Sequence, residues 1–300
     1  MAKPSPATLT ATAPSAAPAP FDILAPAVQT TPMVLVSAHS GAHYDPAFVA
    51  ASRLDILTLR RSEDSFVDEL FGDAPAYGAP LLRAHFPRVF LDPNREPWEL
   101  DPAMFEDQLP AFVNTSSLRV AGGLGTIARV VTNGAEVYRD KLRFSEAERR
   151  VHMLYVPFHE AIQDLLASTV ERFGTALLLD CHSMPSVGGP MDRDPGHERA
   201  DIVLGDRYGT SCAKGIIDAA ETILTRAGYR VARNDPYAGG FTTRNYGRPE
   251  SGVHALQIEI KRSLYMDETR IQRAPGMTRA RDNLALLIET LAGLDHAAIA

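Results

Sequence analysis

The chain has 300 residues, 45% hydrophobic and 22% charged, with a formal net charge of −7. That is ample material for a large buried core, and an acidic chain without clustered Lys and Arg is unsuited to non-specific nucleic-acid binding. No apolar run approaches the roughly 18 residues that a membrane span needs, and the two cysteines, Cys181 and Cys212, lack both number and spacing for a disulfide framework or a metal knuckle, so a reducing, cytoplasmic setting is expected.

Residues 1–25 are mostly Ala, Pro, Ser and Thr, with a single lysine and no continuous apolar stretch. They are expected to form a disordered tail, leaving 26–300 as a single domain. Met33 to Val36 is a short apolar run that reads as a buried strand. It stops at Ser37-Ala38-His39-Ser40-Gly41, and a strand end followed by a glycine turn is where open α/β sheets bind ligands. Pro46 to Arg61 has helical spacing. Asp64 to Phe71 also reads as a helix, with Asp64 and Asp68 on one face and Val67, Leu70 and Phe71 on the other.

Arg88 to Leu91 is expected as a short strand, running into a loop stiffened by Pro93 and Pro97. Gly122 to Gly125 lacks a phosphate-loop signature and reads as a turn. Ser145 to Phe173 is the longest helical pattern, opened by the Ser145/Glu148 capping box and closed by Gly174. A second buried strand, Ala176 to Asp180, then ends in Cys181-His182-Ser183, with Cys181 turned to the core. A helix from Thr210 or Ser211 to Gly228 and a strand at Tyr229 to Ala232 follow. Val253 to Ile260 alternates, with Leu256, Ile258 and Ile260 on one face and Gln257 and Glu259 on the other. A helix over 278–294 closes the chain. Strands alternating with helices predict an α/β fold: a three-layer α/β/α sandwich around a mostly parallel mixed sheet.

Two strand-end histidines and a helical carboxylate match the composition of catalytic zinc sites, which commonly hold one ion with two His and one Asp or Glu. Such an ion acidifies a bound water, and a nearby carboxylate accepts its proton. On this reading His39, Asp68 and His182 are the ligands and Glu259 is the general base. A nucleophilic alternative uses Ser183 beside His182 or Ser40 beside His39, but neither serine sits in a G-x-S-x-G elbow.

The blocks H-S-G (39–41), D-S-F-V-D-E-L-F (64–71), L-D-P-N-R-E-P (91–97), Y-V-P-F-H (155–159), D-C-H-S-M (180–184), D-I-V-L-G-D-R-Y-G-T-S-C (201–212), N-D-P-Y-A-G-G-F-T-T-R-N-Y-G (234–247) and A-L-Q-I-E-I-K-R-S-L-Y-M-D-E (255–268) resemble the N-formylglutamate amidohydrolase family. That family is similar in turn to the zinc carboxypeptidases, whose phosphorylase/hydrolase-like fold the resemblance implies. It implies zinc at His39 and His182, catalysis by Glu259, and a substrate carboxylate at Asn94 and Arg95, with Arg95 either orienting that carboxylate or acting in catalysis by stabilising the oxyanion. The peptidases place their carboxylate ligand three residues after the first histidine, where this chain has Ala42. Asp68 is the expected replacement, with Asp64, Glu69 and His43 as rivals.

The implied reaction is hydrolysis of N-formyl-L-glutamate to formate and L-glutamate, the closing step of one bacterial route of histidine degradation. A dicarboxylate substrate calls for arginines, and Arg95, Arg244 and Arg129 are the candidates, with His159 as a further substrate contact. Gly239 and Gly240 would let a loop approach the ligand. Deacylation of another N-acyl amino acid and a non-catalytic binding role are the alternative functions. A homo-oligomer stays open.

Overall fold

A computed structural model describes residues 19–131, 134–190 and 192–294. Its centre is a seven-stranded mixed sheet. The strands are β1 (Phe21–Leu24), β2 (Met33–Ser37), β3 (Leu81–Ala84), β4 (Ala176–Met184), β5 (Ile202–Gly205), β6 (Val231–Arg233) and β7 (Val253–Lys261), arranged in the order β1-β3-β2-β4-β7-β5-β6. β3, β2, β4 and β7 run parallel. β1 is antiparallel to β3, and the β5–β6 pair, itself parallel, turns antiparallel against β7.

Side-chain alternation splits the core into two layers. Met33, Leu35, Leu177, Leu179, Leu256 and Ile258 face one side. They meet the short α3 (Val67–Leu70), whose place in the chain follows α1 (Pro46–Ala51) and α2 (Ile56–Arg60), and two long helices introduced below. Val34, Val36, Leu178 and Ala255 face the other side, toward Phe158, Ile162 and Leu166. Those three belong to α6 (Val156–Phe173), which continues from α5 (Phe144–Arg150) through a π-turn at Val151–Tyr155; the short α4 (Leu118–Ala121) precedes them. The long helices of the first side are α7 (Lys214–Arg226) and α9 (Met277–Ala292), with α8 (Phe241–Tyr246) between them in sequence. Full burial of each such Leu or Ile contributes about 1.5–3 kcal/mol, so both layers are held chiefly by these apolar faces. Among the described residues, no helix is long and apolar enough to cross a membrane.

Several expectations change. Phe21–Leu24, placed in the disordered tail, pairs with β3 as an edge strand; the tail's residues 1–18 lie outside the described residues, as do 295–300 at the end of the expected domain. The single helix over 46–61 is two, because Asp55 caps a second helix by accepting from Thr58 N at 2.8 Å. The stretch Arg88–Leu91 is a turn, with Phe90 N donating to the Pro87 carbonyl at 2.9 Å, and the third strand lies earlier, at Leu81–Ala84. The helix expected from 210 begins at Lys214, since the Ser211 hydroxyl donates to the Ala255 carbonyl and ties that residue to β7. The stretch between β3 and α5 carries little regular structure. Two small apolar clusters hold it, one around Leu100, Met104 and Ile127 and one around Phe48, Leu59 and Val89. Long irregular segments held this way are often functional.

Candidate metal centre

β2, β4 and β7 deliver their residues to one end of the sheet. In register, Val36 lies opposite Asp180, and His182 lies opposite Glu259. His39 follows β2 by two residues. Gly41 then lets the chain run against the Phe86 backbone, where a Cβ would stand 2.1 Å from the Phe86 carbonyl oxygen. Asp64 reaches the same point by a backbone contact, its N–H donating to the His39 carbonyl at 3.0 Å.

The result is a buried trio of His39, Asp64 and His182 whose ligand atoms lie within 4.8 Å of one another. Asp64 Oδ2 stands 3.3 Å from His39 Nδ1 and 3.0 Å from His182 Nδ1. The far nitrogens are both anchored: His39 Nε2 lies 2.7 Å from Asp92 Oδ1, and His182 Nε2 lies 2.8 Å from Asp180 Oδ1. A carboxylate that accepts from Nε2–H fixes the tautomer and leaves the Nδ1 lone pair facing inward, as in metal-bound histidines. His39 Nδ1 is buried without a hydrogen bond among the described residues. A buried polar atom in that state is costly unless something else takes its lone pair. Two inward Nδ1 atoms, one carboxylate and an orphaned lone pair fit a divalent cation.

The surroundings set the charges. Burial opposes ionisation of Asp64, yet His182 and His39 hold its pKa well below the usual carboxylate value. Arg262 supports the same carboxylate, its Nη2 donating to Oδ1 at 3.0 Å while also binding the Glu63 carbonyl. Asp92 is likewise held low against burial, by Arg88, Arg95 and His39. Burial opposes a charge on His182, but Asp180 and Asp64 raise its pKa well above the usual value. A metal bound here must therefore displace a proton from that ring. Glu259 is pushed up to about 7, first by burial and then by Asp64 and Asp180, while His182 and Arg88 pull it down. Gln257 Nε2 donates to Glu259 Oε1 at 3.0 Å. A carboxylate poised near neutrality beside a candidate metal ligand is suited to general-base work.

Of the residues singled out in the sequence, His39, His182 and Glu259 meet at this centre, and Asn94 touches it. Asn94 Nδ2 lies 3.0 Å from His182 Nε2, and Asn94 Oδ1 accepts from Thr242 N at 2.8 Å. Asp64, not Asp68, stands beside the histidines. Phe66 adopts a left-handed φ of 67°, so the helix begins only at Val67, and Asp68 turns toward Arg83, 3.7 Å away. Glu69 pairs with Arg273 at the surface, and His43 is exposed.

Arg95 borders the centre through Asp92, at 3.6 Å, and burial pushes its pKa down to about 10, with Arg119 and Arg88 adding to the effect. Arg244 is bound to Glu96, and Arg129 to Asp101 at 2.6 Å. His159 spends both ring nitrogens on structure, facing Tyr246 Oη at 2.7 Å and the Pro93 carbonyl at 2.8 Å, and burial lowers its pKa to about 4. It braces the loop carrying Asp92 and Asn94. Asp92, Asp180, Arg88 and Arg262 also serve the centre and are not among the residues singled out in the sequence. Asp180 alone had a readable signal, two residues before His182 on the same face of one strand.

These features define an α/β protein with a buried His-Asp-His centre and an adjacent carboxylate. The profile of the N-formylglutamate amidohydrolase family matches residues 31–266. An N-formylglutamate deformylase of Pseudomonas aeruginosa is 31% identical over 83% of this chain and 86% of its own. One from Pseudomonas putida is 28% identical over 69% and 71%. The crystal structure of N-formylglutamate amidohydrolase from Ralstonia eutropha JMP134 superposes with a TM-score of 0.84 at 37% identity, covering 91% of this chain and 97% of that one. The chain belongs to the N-formylglutamate amidohydrolase family.

Proposed function

We propose that the protein hydrolyses N-formyl-L-glutamate to formate and L-glutamate, using one zinc ion held by His39, Asp64 and His182. The observation that carries this reading is the convergence of two inward-facing Nδ1 atoms and Asp64 Oδ2, with Glu259 in register with His182. The family membership and the activity named for the Pseudomonas relatives supply the substrate. When bound, the ion would supply Lewis acidity toward the formyl oxygen and lower the pKa of a water.

The chain's own residues do the rest. Asp92 and Asp180 hold the two imidazoles in the tautomer that presents Nδ1. Glu259 takes a proton from the attacking water and delivers it to the departing amine as the C–N bond breaks. Arg88, bound to Asp92 through Nη2 at 2.7 Å, acts electrostatically on both Asp64 and Glu259 and so helps to balance the negative charge of the centre. Arg95 and Asn94 border the same space. The two buried free cysteines support a reducing, cytoplasmic setting.

The test is formate release from N-formyl-L-glutamate, with metal content measured alongside. We expect turnover that chelation abolishes and zinc restores, with one ion per chain. A folded, zinc-loaded protein that releases no formate would overturn the substrate. Full turnover after exhaustive chelation would overturn the metal.

A further inference from the structure

Near Asn94 and its neighbour Arg95 lie two arginines, Arg119 and Arg207, that have no carboxylate partner among the described residues. The link is a two-glycine loop. A Cβ on Gly240 would stand 2.5 Å from the Asn94 side-chain amide, and a Cβ on Gly239 would stand 2.9 Å from Arg207 Cγ. Arg207 therefore packs on the loop whose next residue packs on Asn94, the neighbour of His182.

Arg207 is presented by a strained turn. Arg207 and Tyr208 have φ of 53° and 58°, and Asn234, itself at 60°, pins them. Asn234 Oδ1 accepts from the backbone N–H of Asp206 and Tyr208, and its Nδ2 donates to Asp206 Oδ1 at 2.8 Å. Two successive left-handed residues with side chains are costly and persist where the surrounding structure enforces them, often at ligand clamps. Yet the Arg207 guanidinium donates only to the Gly239 carbonyl, at 3.4 Å, and forms no ion pair among the described residues.

Arg119, on α4, is partly buried and makes no side-chain hydrogen bond or ion pair among the described residues. The acid nearest in effect, Glu96, is occupied by Arg244 and Asn114. Arg119 is tied to the same turn as Arg95, its carbonyl accepting from Leu124 N at 2.8 Å; burial lowers the pKa of both Arg95 and Arg207, and Arg119, with Arg244 in the case of Arg207, adds to that effect. Arg95 is also tied to the stretch after α4, its Nε donating to the Leu124 carbonyl at 3.1 Å. Arg95 shares its nearby carboxylate, Asp92, with Arg88 and His39, and Arg119 and Arg207 have none among the described residues, so the group carries excess positive charge that an entering anion would offset. Arg88 and Arg95 already flank the centre, so two further arginines exceed what a single carboxylate needs.

We propose that Arg119 and Arg207, with Arg95 beside them, form a carboxylate subsite that selects N-formyl amino acids bearing an acidic side chain. The proposal rests on the hydrolytic reading above and adds the residues that set its substrate class. Arginine's forked donors suit this ligand and make bidentate contacts.

The test compares kcat/KM for N-formyl-L-glutamate and for N-formyl-L-glutamine, which matches it in length but lacks the second charge. In R119Q and R207Q the diacid-to-amide ratio should fall by about 10–100-fold, the range of one charged hydrogen bond lost, and R119K and R207K should restore part of it. Equal falls for both substrates, a ratio held within about twofold of the wild type, or a wild type without diacid preference would overturn the subsite. If the wild type releases formate from neither substrate, the reaction itself fails. The subsite is then read from binding of glutarate against its monoamide to the zinc-loaded protein. A diacid preference lost in R119Q and R207Q supports it, and a preference absent or unchanged overturns it.

Discussion

Changing Asp92 to Asn keeps the side chain's shape and removes its charge, which makes it a sharp probe of the metal centre. Oδ1 lies 2.7 Å from His39 Nε2 and accepts from Asn94 N at 2.8 Å, while Oδ2 accepts from Arg88 Nη2 at 2.7 Å. An asparagine cannot satisfy all three. With its oxygen toward His39, its NH2 group faces the Arg88 guanidinium, donor against donor; flipped, it leaves His39 without an acceptor. Loss of the carboxylate that orients a ligating histidine costs about 10–100-fold in metal affinity, or about 1.4–2.7 kcal/mol. Breaking the Arg88 pair adds a separate loss of stability. Buried pairs cost about 3–5 kcal/mol to break from one side, and the partial exposure of Arg88, 22%, sets D92N at the low end. Competition with a chromophoric chelator would give the zinc affinity, and urea denaturation of the metal-free protein the stability. A folded D92N that binds zinc as tightly as the wild type would refute the claim that Asp92 orients His39.

The carboxylate ligand is tested by a pair of variants: D64N should lose at least about 100-fold in zinc affinity, more than a supporting residue costs, while D68N should stay within about threefold of the wild type; the reverse outcome would move the site onto α3. Glu259 has a pKa raised to about 7, so the folded protein holds its proton more tightly than the unfolded chain does. The metal-free protein should therefore lose stability as pH rises from about 4.5 to about 7, by about 3 kcal/mol in total. In E259Q that component should vanish while turnover of the zinc-loaded enzyme falls by about 100-fold or more; parallel stability–pH curves for the two proteins would count against a buried, proton-holding Glu259. G240A drives a methyl group into the Asn94 amide, an overpacking cost of about 1–3 kcal/mol. Its Tm and kcat/KM should both fall, and wild-type values for both would show that the loop does not press on Asn94.

What the sequence determined by itself was local. Runs such as Met33–Val36 and Ala176–Asp180 are too apolar and too short to be anything but buried strands, and the histidines at their ends follow from chain order alone. Alternation in β7 puts Gln257 and Glu259 on one face, because the side-chain period of a strand is fixed at two. The α6 and α9 patterns were readable for the same reason at the helical period. The tertiary structure decided whatever depends on irregular backbone or on contacts distant in sequence. Spacing placed Asp64 and Asp68 on one helix; the left-handed Phe66 and the hydrogen bond from Asp64 N to the His39 carbonyl part them. Asp92 meets His39, and Arg262 meets Asp64, across 53 and 198 residues of chain. Those pairings exist because burying the charges of this centre is tolerable only when each finds its counterpart, and no local pattern in the sequence encodes which counterpart the fold will supply.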